Sequence, residues 1–184
     1  MTITNCVVRN HTGNGIKFRP NASSNLSVSN TLVADNGQSG IFVQPSGSSL
    51  TVKAEFNRVE AYSNSVHGLT VDGQLGSGSD TSVTVADSVA GNNNSNGFNV
   101  STSASGASVE LMMVRSSAVN NKGTGAAVGA GGFATARIYM GSSMLMGNAK
   151  GWSAANGAIF LSYGDNDIDL NADGSPAPGT TVRK

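Results

Sequence analysis

Charge is scarce in this chain. Of its 184 residues only 12% are charged, and eleven basic side chains balance eleven acidic ones. That leaves no basic footprint for a nucleic acid and no polybasic patch for a membrane surface. No apolar run approaches the roughly 20 residues that cross a bilayer. No charged start leads into an apolar run, so the pattern of a secretory signal is missing and the compartment stays open. Cysteine is limited to Cys6. One thiol excludes an internal disulfide and any multi-cysteine zinc site. Aromatic residues make up 5% and there are four prolines. Gly, Ser and Asn interrupt every candidate helix.

What the chain does have is 24 glycines, many Ser and Asn residues, and 38% hydrophobic residues that are mostly short and often β-branched. The net charge of zero and the apolar fraction argue against disorder. The polar residues recur. An asparagine followed four residues later by glycine appears at "NGQSG", "NSVHG", "NNSNG" and "NKGTG", starting at Asn36, Asn64, Asn93 and Asn121. Asn10 and Asn148 head one longer and one shorter copy, and Asn171 falls where a seventh belongs. The spacing is 23 to 29 residues.

Other columns align with it. Three residues before each Asn stand Val7, Val33, Ala61, Ala90, Ala118, Leu145 and Ile168. Eight and ten before stand Val28, Phe56, Val85, Met113, Met140, Tyr163 and Leu26, Ala54, Val83, Leu111, Ile138, Leu161. After the glycine come apolar pairs two apart, such as Leu69 with Val71 and Phe98 with Val100. Alternation by two is the mark of strands with one buried face. About three short strands per repeat cannot bury that face alone, but stacked windings can. The expected fold is all-β: a right-handed single-stranded parallel β-helix of about seven coils, roughly 30 Å long at ~4.8 Å per coil. It spans residues 1–171, with 172–184 as a tail that is poorly ordered or packed along the solenoid.

The polar columns explain the run "GNNNSNGFNV" from Gly91 to Val100. An inward amide in each coil can bond to the amides above and below, so Asn10, Asn36, Asn64, Asn93, Asn121, Asn148 and Asn171 are expected to form a ladder. A second column, five residues earlier, holds Asn5, Thr31, Val59, Ser88, Ser116, Ser143 and Asn166. The variable inserts all follow the post-glycine strand, on one edge, as loops of a solenoid do.

The segments "TLVADNGQSGIFV" (31–43) and "SVAGNNNSNGFNV" (88–100) resemble the bacterial right-handed parallel β-helix repeat proteins of the pectin-lyase-like superfamily. "LSYGDNDIDLN" (161–171) resembles their last coil. The resemblance covers about residues 2–171. It implies the fold and an association with carbohydrate; because such proteins usually begin with a leader and earlier coils, this chain reads as the C-terminal coils of a longer solenoid, or as a natural short form, with an open first coil.

Polysaccharide lyases and hydrolases on this fold need carboxylates at close range. The column six before each Asn brings Arg58, Asp87 and Arg115 together, which suits a charge ladder or an anionic ligand better than a general acid. Glu110 and Arg137 read the same way. His11 and His67 sit in comparable turns, two coils apart, as solvated side chains with no shared metal. "DLNADG" offers Asp169, Asn171 and Asp173 as half of a calcium loop that lacks the closing glutamate. Beside the inward column, Leu32, Val89 and Met144, then Val8, Ala34, Tyr62, Val119 and Met146, are expected to face out. Of these Leu32, Tyr62, Val89, Val119, Met144 and Met146 mark a candidate interface. The expected function is a non-catalytic binding or structural module that requires no cofactor, takes polysaccharide as ligand, and forms a homo-oligomer, a dimer through the open end or the apolar face. The alternative is a lyase or hydrolase.

Overall fold

The structure, a computed structural model, describes residues 1–182. The chain winds as stacked coils of short strands. The first coil holds β1 (Thr2–Thr4), β2 (Val7–Arg9) and β3 (Ile16–Phe18); the second β4 (Ser24–Ala34) and β5 (Ile41–Val43); the third β6 (Thr51–Tyr62) and β7 (Leu69–Asp72). The fourth holds β8 (Asp80–Ala86), β9 (Val89–Gly91) and β10 (Phe98–Thr102); the fifth β11 (Ser108–Val114), β12 (Ser117–Val119) and β13 (Thr124–Ala130); the sixth β14 (Thr135–Gly141), β15 (Met144–Met146) and β16 (Lys150–Ala155). β17 (Ile159–Ser162) and β18 (Asp167–Asp169) begin a seventh, and β19 (Gly179–Thr180) follows. Every pairing is parallel and joins a strand to its counterpart one coil away. The result is a parallel β-solenoid of about six turns.

The coil has three faces. Face one runs from β1 through the first halves of β4 and β6 to β8, β11, β14 and β17. Face two holds β2, the second halves of β4 and β6, and β9, β12, β15 and β18. Both belong to one sheet because β4 and β6 run through the bend between them. Face three is the six-stranded sheet of β3, β5, β7, β10, β13 and β16.

Single residues make the corners. Between faces one and two, Asn5, Asn30, Arg58, Asp87, Arg115 and Ser142 have φ from 46 to 54°. Between faces two and three, Asn10, Asp35, Ser63, Asn92, Asn120 and Leu170 have φ from 53 to 62°. One left-handed residue turns a strand sharply, and such residues are usually Asn, Asp or Gly. The third corner carries the loops of variable length.

Inside, Val28, Ile41, Phe56, Leu111, Met113, Ile138, Met140 and Leu145 are fully buried. The signature glycine is required by space. A Cβ on Gly97 would lie 2.7 Å from the carbonyl oxygen of Gly125 and 2.9 Å from both Asn121 Nδ2 and Ala118 Cβ.

The register differs from the sequence reading at both ends. Val8, not Val7, pairs with Val33, and Arg9 pairs with Ala34. Val8 therefore packs against the core, while Val7 is 67% exposed. The expectation that Val8 faces out is corrected on the same ground. In the last coil Phe160 pairs with Ile138 and Ser162 with Met140, and both are buried. Leu161 and Tyr163, expected inside, stand outside. The final corner holds one more residue than its predecessors, which shifts the strand before it by one. The tail continues the winding: Gly179 and Thr180 pair with Leu161 and Ser162. Trp152 packs against Phe160 and donates its indole N–H to the Pro176 carbonyl. Residues 183 and 184 of the tail lie outside the described residues.

Candidate functional site

The buried amides form a ladder from Asn36 to Asn171. From Asn36 to Asn148 each Nδ2 donates to the Oδ1 of the next coil's Asn at 2.9–3.0 Å, and to a backbone carbonyl one coil back. Each Oδ1 also accepts the backbone N–H of the preceding Asn. In the interior rungs Asn64, Asn93, Asn121 and Asn148, two donated and two accepted bonds use the full capacity of a primary amide. Asn10 is not the first rung. It occupies the left-handed corner position and is exposed. The rung's place belongs to His11, whose backbone N–H donates to Asn36 Oδ1. The first copy is one residue longer, so aligning on asparagine put the register one residue early. Ser175 Oγ closes the far end, accepting from Asn171 N and Nδ2.

The second polar column works alike. Val59 N donates to Ser88 Oγ, Ser88 N to Ser116 Oγ, Ser116 N to Ser143 Oγ, and Ser143 N to Asn166 Oδ1. Cys6, not Asn5, starts it, its N–H donating to Thr31 Oγ1.

Arg58, Asp87 and Arg115 lie exposed on the first corner. Arg115 grips Asp87 with two bonds of 2.7 and 2.9 Å. Arg58 turns the other way, to Asn30 Oδ1. The bond from Arg115, with the charges of both arginines, holds the Asp87 carboxyl below its ordinary value. An acid held ionised in this way cannot give up a proton near neutrality. Glu110 pairs with Arg137 at 2.7 Å. Among the described residues no three His, Cys, Asp or Glu side chains are grouped to hold a metal ion.

The side chains of the calcium half-motif are engaged within the fold. Asn171 Oδ1 faces inward and is used by Asn148. Asp169 Oδ1 caps Leu170 N, and Asp173 Oδ1 accepts from Ser175 N and Gly151 N. His67 is corrected. It is half-buried, burial lowers its pKa, and Nδ1 accepts the Asn96 backbone N–H at 3.0 Å.

On face two, Leu32, Val89 and Met144 share one outward column with Glu60, Ser117 and Asp167. Tyr62, Val119 and Met146 share the next with Ala34 and Gly91. All six expected interface residues are half-buried, whereas Ala34 is buried at 6% exposure. The Tyr62 ring lies over Gly91, where a Cβ would collide with Cε1. Burial and the nearby Glu60 charge raise the Tyr62 hydroxyl pKa.

Face one carries a feature missed in the sequence. Two hollows of about 480 and 320 Å³ share Ser82 and Thr84, forming one groove along the solenoid axis. Its N-terminal half is mixed, with Met1 and Leu26 beside Asn25, Ser27, Lys53 and Glu55. Its C-terminal half gathers Met112, Tyr139 and Tyr163 beside Glu110. Met112, Tyr139 and Leu161 are in register on β11, β14 and β17, and Glu110 is in register with Arg137. The available signal was outward columns turning aromatic, but the register slip had placed Tyr163 inside.

Comparison with models of known families, with curated proteins and with solved structures finds no match to this chain.

Proposed function

We propose that the protein is a non-catalytic β-solenoid module that binds a polysaccharide chain laid along face one. The observation that carries this is the groove from Met1 to Tyr163, with polar and apolar side chains mixed at one end and aromatic rings at the other. Aromatic rings offer a flat apolar platform to a sugar ring, and Tyr hydroxyls offer a polar tip. The resemblance to the pectin-lyase-like superfamily supports carbohydrate as the ligand class by analogy of fold. Self-association belongs to the same proposal, through the half-exposed apolar columns of face two.

Two glutamates line the groove, Glu55 and Glu110. They stand two coils apart, roughly 10 Å, and Arg137 already engages Glu110. Retaining hydrolysis needs carboxylates ~5 Å apart and inverting hydrolysis ~6.5–9.5 Å. This spacing favours binding over the lyase or hydrolase alternative.

The test is affinity electrophoresis against a panel of neutral and acidic polysaccharides, read beside an assay for released reducing ends and unsaturated products. Retardation by at least one polymer without cleavage is expected, weakened about ten-fold by Tyr139→Ala, the loss of one aromatic contact. No retardation by any polymer overturns the binding reading, and cleavage establishes the enzyme.

A further inference from the structure

Face three holds a second, separate trough of about 470 Å³ over the first four coils. That volume lies within the range of small-molecule sites. Lys17, Phe42, Thr70 and Asn99 run along its floor in register on β3, β5, β7 and β10.

The trough is preorganised. Phe42 is half-buried, with the Lys17 ammonium 5.9 Å from its ring centroid. The buried Thr70 hydroxyl is tied to Ser39 Oγ at 3.2 Å. On one bank the Asp72 carboxylate is held from both sides, by Gln44 Nε2 at Oδ2 and by Gln74 N at Oδ1, each at 2.8 Å. Each of its oxygens keeps a lone pair for another donor. On the other bank, the Asn96 N–H at His67 Nδ1 fixes the tautomer, so the neutral ring carries its proton on Nε2. Asn96 Nδ2 binds Asn99 Oδ1 at 3.0 Å, which leaves the Asn99 amide N–H groups as donors.

We propose that this trough binds a single neutral pyranose ring, such as the end of a glycan. Phe42 is the platform for the ring's C–H face. Asp72 accepts from two adjacent hydroxyls, and His67 Nε2 and Asn99 Nδ2 donate to sugar oxygens. Lys17 swings off the phenyl ring to a hydroxyl. The charges decide the class: one cation and one carboxylate face the trough, and an anionic sugar would set its charge near Asp72. The site stands independently of the face-one groove, since it lies on another face and shares no residue with it.

The experiment is an NMR titration of the labelled protein with methyl glucopyranoside, methyl galactopyranoside and methyl mannopyranoside, with sodium glucuronate as the anionic comparison. Saturable shifts are expected at Phe42, His67, Asn99 and the backbone around Asp72 with at least one glycoside. Phe42→Ala and Asp72→Asn should each weaken binding about ten-fold, the scale of one stacking contact or one charge-assisted pair. Tyr139→Ala should leave these shifts unchanged, and Phe42→Ala should leave polysaccharide retardation unchanged, so the two sites fail separately. If Phe42→Ala does not fold, Asp72→Asn carries the test alone, because it keeps size and shape. No shift with any glycoside overturns the proposal. So does undiminished binding by the folded variants, or tighter binding of glucuronate.

Discussion

Asn93 shows how much one side chain carries. Its amide bonds to Asn121 Oδ1 and the Ala61 carbonyl, and its oxygen serves Asn64 twice. Asn93→Ala strands these partners in a dry interior. A loss of about 2–3 kcal/mol is expected in urea unfolding, and a neutral result would show the amide is not buried. Asn171→Ala, at the last rung, should cost less. His67 sets a pH dependence. Its folded pKa lies below the ordinary value of 6.5, so between the two values the unfolded chain binds the extra proton. Its contribution is complete above pH 6.5 and declines as pH falls toward the folded value. Asp87 has the same sign in the acid range: its stabilisation is present above the ordinary carboxylate value and is lost as pH falls through the lowered one. His67→Gln should flatten the slope of stability below pH 6.5, measured by thermal melts across pH.

At the scale of strands and corners, the close approach of backbones sets the tolerances. Gly97→Ala would press a methyl group against the Gly125 carbonyl and the ladder amide. A loss of about 1–3 kcal/mol is expected, with a lower melting temperature as the readout. The corners respond in the opposite direction. Leu170 has φ of 54° and is 71% exposed, so it combines a left-handed backbone with a wetted apolar side chain. Leu170→Asn should stabilise by about 1 kcal/mol, because asparagine tolerates this region and leucine does not. The same columns show why the ends were misread. Asn10 has the residue type of a rung and the conformation of a corner, because Asn suits both roles. In the last coil an extra corner residue moved Phe160 inside and Tyr163 outside. Sequence periodicity cannot detect a shift confined to one copy, since no later copy repeats it.

For the molecule as a whole, each coil contacts chiefly its neighbours, so stability is nearly one-dimensional. Hydrogen exchange should be slowest in the third to fifth coils, which have a coil on each side. The first coil, whose outer edge no described strand pairs with, should exchange fastest. The other end is covered by β19 and by the Trp152–Pro176 bond. Removing residues 172–184 should lower the melting temperature and speed exchange in β17 and β18. Self-association is checked by light scattering with Val89→Arg. A dimer abolished by that change would place the contact on face two, and a dimer unaffected by it, or no dimer at all, would overturn that contact.

By itself the sequence determined the winding. A period of 23 to 29 residues with alternating apolar positions has one compact solution, because inward columns must bury methyl groups and satisfy amides in every coil. Packing enforces that repetition, so the interior was legible down to the rungs at Asn36 through Asn171. The outward columns are under no such demand. Phe42 and Asp72, or Met112 and Tyr139, lie a full coil or slightly more apart along the chain and carry no shared pattern. Only the stacked register, set coil by coil, decided which of them became neighbours, and so where a ligand finds a groove.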